Sequence, residues 1–116
     1  YGAELVSLTS GEVQISAPLT EAVSQQHGAG HAGLTFALGD SAAGYAALTM
    51  IEGDADVMTA EMKINLLRPA FGDRLLAVGR VIKPGRRLIV VQAAVFAEVE
   101  GTQKHVAILQ GTMVPA

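Results

Sequence analysis

The chain has 116 residues, half of them hydrophobic and 16% charged, which is enough for one compact core and leaves no room for a second. A formal net charge of -3, no Trp and only five Phe and Tyr together argue against a nucleic-acid binder. The absence of cysteine excludes disulfides, thiolate zinc sites and a cysteine nucleophile.

The start, YGAELVSLTSG, has neither a basic leader region nor an apolar run, so no secretion signal is visible and a cytoplasmic location is the default expectation. Glu4 to Ala17 predicts two short strands joined at Ser10 and Gly11, with Pro18 ending the second. From Leu19 to Gly30 no apolar period is sustained, and HGAGHAG predicts a loop. Ala32 to Ile51 is almost wholly apolar or small and rich in Ala and Leu, which predicts one long helix buried on most sides. Its three glycines, Asp40, Ser41 and two threonines argue against a membrane span.

After the acidic turn EGDAD, Met58, Ala60, Met62, Ile64 and Leu66 alternate with Thr59, Glu61, Lys63 and Asn65, predicting a strand whose first set faces the core. DRLLAVGRVIK, RLIVVQAAVFAEV and KHVAILQGTM predict three more. Connections this short exclude parallel crossovers, so the four are expected as an antiparallel meander. The expected fold is α+β: a single domain, residues 1–116, with about six antiparallel strands curled around one long central helix.

Gly28, Gly30 and Gly33 spell G-x-G-x-x-G, the dinucleotide fingerprint. No buried strand precedes it and no parallel βαβ unit follows, so the nucleotide reading lacks its context. His27 and His31 stand four apart with glycines between them and no third ligand, so no metal is expected. Ser41, between Gly39 and Ala43, sits inside a helix and not on a strand-to-helix turn, which argues against a serine triad. Asp40 is the only carboxylate between Glu21 and Glu52. Burying an unpaired carboxylate costs several kcal/mol in practice, so an acid in such a helix marks a candidate site.

At the helix start, the backbone amides of Ala32 and Gly33 and the positive end of the dipole suit a developing oxyanion. Asp40 lies roughly 12 Å further along the same axis at about 1.5 Å per residue, too far to serve a carbonyl held at its own helix start. A second, antiparallel copy of the helix would bring a partner's Asp40 there, so a homodimer with shared sites is expected. Charge is also divided along the chain. Residues 1–62 carry eight acids and no Lys or Arg, whereas the remainder carries eight bases and three acids, or -8 against +5. Such asymmetry fits either a docking place for an anionic partner or basic residues that solvate strand edges.

HAGLTFALGDSAAGYAA, followed by TAEMKINLLRPAFGDRLLAVGRVIKPGRRL and a closing GT, resembles the hotdog-fold acyl-CoA thioesterases of the phenylacetate-degradation (PaaI-like) group. That group shows His-Gly-Gly, an Asp nine residues after the His, a Ser or Thr opening the next long strand, then Pro and Gly in the strand turn; His31, Asp40, Thr59, Pro69 and Gly72 fall in this order. The resemblance implies hydrolysis of an aryl- or acyl-CoA thioester, with Asp40 as general base or nucleophile, the Ala32 amide on the thioester oxygen and Thr59 placing the water. It also implies a homodimer or homotetramer, and coenzyme A as part of the substrate with no separate cofactor. His31 is expected to fix the loop. Ala32 stands where the group has its first Gly, and Gln25 where it has an upstream Asn in the oxyanion hole. Arg68, Lys83, Arg86 and Arg87 are candidates for the coenzyme A phosphates, and Met58, Met62, Phe36 and Tyr45 for an acyl pocket. The alternative reading is a module of the same fold that binds acyl-CoA without cleaving it.

Overall fold

The computed structural model describes residues 2–19 and 31–116. In chain order the elements are β1 (Glu4–Thr9), β2 (Glu12–Pro18), α1 (Ala32–Leu48), β3 (Val57–Leu66), β4 (Arg74–Lys83), β5 (Ile89–Val99) and β6 (Thr102–Pro115). The strands form one antiparallel sheet in the order β1-β2-β4-β5-β6-β3, with α1 across its inner face. The expected six-stranded α+β hotdog architecture is present.

The expected four-strand meander is not. Only β4, β5 and β6 follow one another as neighbours, while β3 lies beyond β6 at the edge of the sheet. The link from β3 to β4, residues 67–73, therefore passes two strands. Three inter-strand spacings total roughly 14 Å, within reach of seven extended residues. Short connections exclude parallel neighbours but do not require adjacent ones.

β5 shows the cleanest period-2 burial: Ile89, Val91, Val95 and Ala97 point into the core, alternating with half-buried residues. Burying a side chain such as Ile89 or Leu75 contributes about 1.5–3 kcal/mol. The helix ends at Leu48, three residues short of the expected Ile51, because Thr49 closes it. The Thr49 hydroxyl donates to the Ala46 carbonyl at 2.6 Å and accepts the Gly11 N–H at 2.7 Å, tying the helix end to the β1–β2 turn. Leu34, Leu38, Ala42 and Ala46 lie on its buried face, but Ser41 and Tyr45 form an exposed ridge, so the rod is covered on one side only.

Small residues set how closely helix and sheet approach. A Cβ on Gly79 of β4 would lie 2.2 Å from the Ala42 carbonyl carbon, and one on Gly39 would lie 2.8 Å from Leu109. Gly39 thus packs over Val95 and Leu109, Ala42 over Gly79, and Thr49 over Gly11, whose carbonyl accepts the Val81 N–H. The helix accordingly runs in the same sense as β4, with its start near Arg74 and its end near Lys83.

Candidate active site

The expected β3 pattern fails at Ala60. Thr59 pairs with Met113 and Glu61 with the adjacent Thr112, leaving Ala60 as the extra residue of a β-bulge. A bulge reverses which face the residues beyond it occupy. Met62 and Ile64 pack against the core as expected; Met58 is 59% exposed, and Val57 and Thr59 turn inward instead. Leu66 is also exposed, being near the end of an edge strand.

The turned hydroxyl of Thr59 donates to Asp40 Oδ1 at 2.8 Å, with the Met113 sulfur 3.3 Å away. Asp40 is therefore neither fully buried nor unpartnered, as the apolar helix suggested; it is half-buried and held from one side. Both residues line a cleft of about 250 Å³ walled by Gly44, Tyr45, Leu48, Val57 and Met113. Asp56, which the sequence offered only as part of an acidic turn, enters the same cleft, its Oδ1 accepting the Val57 N–H at 2.8 Å. Its place depends on the edge strand closing against the helix, which local pattern does not report.

Across the Ser41–Tyr45 ridge lies a larger cleft of about 470 Å³, bounded by Leu5, Leu8, Ile15 and Leu38. Among the described residues its titratable groups are Glu4 and Tyr45 alone, so size by itself does not make it the chemical site. Of the expected acyl-pocket residues, Tyr45 borders both clefts, Phe36 and Met62 pack against the core, and Met58 faces away.

At the helix start, exposed His31 is the N-cap, with φ -63° and ψ 136° and no side-chain cap. Its carbonyl accepts the N–H groups of Leu34 and Thr35 at 3.0 and 3.2 Å. The Ala32 and Gly33 amides have no acceptor among the described residues, and a Cβ on Gly33 would meet open space. Gln25 and His27 lie outside the described residues. Within one protomer, Ala32 and Asp40 remain eight residues apart on one rod, so the structure joins Asp40 to Thr59 but not to the amides.

The four expected phosphate-binding cations also divide. Lys83 ends β4 and Arg86 and Arg87 follow in the β4–β5 turn, whereas Arg68 sits in the β3–β4 link near the start of β4. The ten residues of β4 separate the two groups by roughly 30 Å.

Residues 27–104 match the model of the thioesterase superfamily. The "Putative esterase SSO1253" of Saccharolobus solfataricus is 33% identical over 95 residues, covering 82% of this chain and 63% of that protein. The chain thus spans a little under two thirds of the length of the curated relatives it matches. A thioesterase family protein of Silicibacter pomeroyi superposes with a TM-score of 0.95 at 39% identity, covering 98% of this chain and 84% of that one. The BH2602 protein of Bacillus halodurans, solved with CoA, superposes at 0.79 with 27% identity over 90% of this chain and 66% of that one. The PaaI protein of the E. coli phenylacetic acid degradation operon, 24% identical, shares the fold at 0.88 over 99% of this chain and 80% of that one. The family match spans the glycine loop, the helix bearing Asp40 and the strand that delivers Thr59, and the chain belongs to the thioesterase superfamily.

Proposed function

We propose that this chain hydrolyses the thioester of an aryl- or acyl-CoA to the free acid and coenzyme A. The observation that carries the reading is the Thr59 hydroxyl donating to Asp40 Oδ1 in a cleft, which leaves Oδ2 to receive a proton. The CoA-bound BH2602 protein supports the choice of carrier.

Asp40 acts as general base. It takes a proton from water as the water oxygen bonds to the thioester carbon, and the carbonyl π pair moves onto oxygen. Amides at a helix start stabilise that oxyanion because they are already oriented and need no reorganisation. Collapse of the intermediate breaks the C–S bond, and Asp40 returns the proton to the departing thiolate. Because an acid eight residues along cannot reach a carbonyl held at its own helix start, the amides of Ala32 and Gly33 serve the partner's thioester in a homodimer. The free edge of β3, with Met58 exposed on it, suits that contact.

A free-thiol assay over a panel of acyl-CoAs tests the reading. Asp40→Asn should abolish thiol release while acyl-CoA still binds. Release unchanged in that variant overturns the role of Asp40, and tight binding without release from any substrate by the wild type identifies a binding module. A single turnover in H₂¹⁸O that places the label in Asp40 identifies a mixed anhydride opened at the Asp40 carbonyl, and so a nucleophile, whereas direct attack by water on the thioester places it in the product acid alone.

A further inference from the structure

The cleft that holds Asp40 and Thr59 is charged on one side only. Asp56 enters it just before β3, where its backbone and that of Ala116 bond in both directions: the Asp56 N–H donates to the Ala116 carbonyl at 3.4 Å, and the Ala116 N–H donates back at 2.8 Å. Oδ1 of Asp56 accepts the Val57 N–H at 2.8 Å, which fixes the orientation of the carboxylate. Its Oδ2 has no donor among the described residues.

Asp40 is the second acid of this cleft, and none of the described residues lining it is Lys, Arg or His. α1 ends in the same wall at Leu48 with no basic residue in its last turn, so the negative end of the helix dipole goes uncompensated there. Glu52 and Asp54 precede Asp56, and no Lys or Arg occurs before Lys63. A polyanionic carrier is repelled from such a wall. The part of a CoA thioester that enters beyond Asp40 and Thr59 is therefore the acyl group, against Leu48, Val57 and Met113.

We infer that Asp56 sorts acyl groups by charge, admitting uncharged ones and turning away those that end in a carboxylate. The inference rests on the thioesterase reading above and adds a substrate class to it, the thioesters of monocarboxylic acids. An uncharged chain gives up water to Leu48, Val57 and Met113 at no electrostatic cost. A terminal carboxylate held in a cleft of about 250 Å³ lies within roughly 8 Å of Asp56, where like charges partly screened by solvent repel enough to lower kcat/KM about tenfold. Asp40 adds to the repulsion, so removing Asp56 narrows the discrimination without abolishing it.

Hexanoyl-CoA and adipoyl-CoA share a carrier and a chain length and differ in the terminal carboxylate. In a free-thiol assay the wild type should favour hexanoyl-CoA in kcat/KM by about tenfold or more, and Asp56→Asn, which keeps an oxygen for the Val57 N–H, should narrow that ratio about tenfold. Asp56→Glu, which keeps the charge, should hold the wild-type ratio. Salt at about 0.5 M should narrow the ratio in wild type more than in Asp56→Asn. A residue that only supports the fold lowers both substrates alike, so a ratio unchanged in Asp56→Asn overturns the inference and leaves the hydrolase reading standing, as does a wild type that cleaves both thioesters equally. Where the wild type cleaves neither, calorimetric titration decides: tighter binding of hexanoyl-CoA that Asp56→Asn evens out keeps the filter and removes the hydrolase reading, and equal Kd values overturn both.

Discussion

Replacing Ala32 with proline separates the oxyanion role proposed for its amide from its role in the helix. Ala32 is the first helical residue, the position where proline is favoured because its missing N–H serves no intrahelical bond. The first helical bonds run from Leu34 and Thr35 to the His31 carbonyl, and neither uses the Ala32 amide. His31 already has the extended conformation, φ -63° and ψ 136°, that a following proline demands. Folding stability should therefore stay within about 0.5 kcal/mol of wild type, as a surface change away from special features does. Losing one oxyanion donor costs about 2.7–4 kcal/mol of transition-state stabilisation, so kcat should fall roughly 100- to 1,000-fold. Stopped-flow thiol release beside thermal unfolding reads both quantities, and Ala32→Gly, which keeps the N–H, should retain activity. A correctly folded proline variant with kcat within threefold of wild type would refute the assignment.

Thr59→Val keeps the shape and removes the donor to Asp40; kcat should drop about tenfold, less than in Asp40→Asn, and the double variant should be no worse than Asp40→Asn alone. Wild-type turnover in Thr59→Val would take that hydroxyl out of the mechanism. Gly79→Ala puts a methyl against the Ala42 and Ala43 backbone, where carbon contacts need about 3.5 Å, and should lower stability by about 1–3 kcal/mol by urea titration. An unchanged midpoint would disprove the close approach of helix and sheet there. Glu98 is held below its ordinary value of 4.5 by the hydrogen bond from Gln103, then by the one from Arg74. The stability this adds is present above that value and is lost as pH falls through the lower folded value. Glu98→Gln should therefore lose less stability than wild type between pH 7 and pH 3; equal losses in denaturant titrations would count against the depressed value.

Much of this architecture can be read from local pattern. Pro18, the Ser10–Gly11 turn and the alternation in IVVQAAVFAEV place three strands within a residue or two, because period and turn chemistry are properties of adjacent residues. Asp40 stands out for the same reason, an acid among alanines. What is not legible depends on pairing across the sheet. β3 lies beside β6 rather than β4, and Ala60 and Val106 interrupt their ladders without any Gly or Pro to announce it. Strict alternation consequently assigns Thr59 to solvent. The resemblance places Thr59 in the site by motif; the reason it arrives there is the bulge.

Each bulge is one residue of surplus length, and that has a consequence for how the protein can change. Amino-acid exchanges at Ala60 leave the count, and with it the aim of Thr59, untouched. Deleting that residue would swing the hydroxyl to the opposite side while leaving every chemical group in place. Exchange at Ala60 itself is therefore tolerable wherever spacing is kept, whereas a one-codon loss there would take the Thr59 hydroxyl away from Asp40.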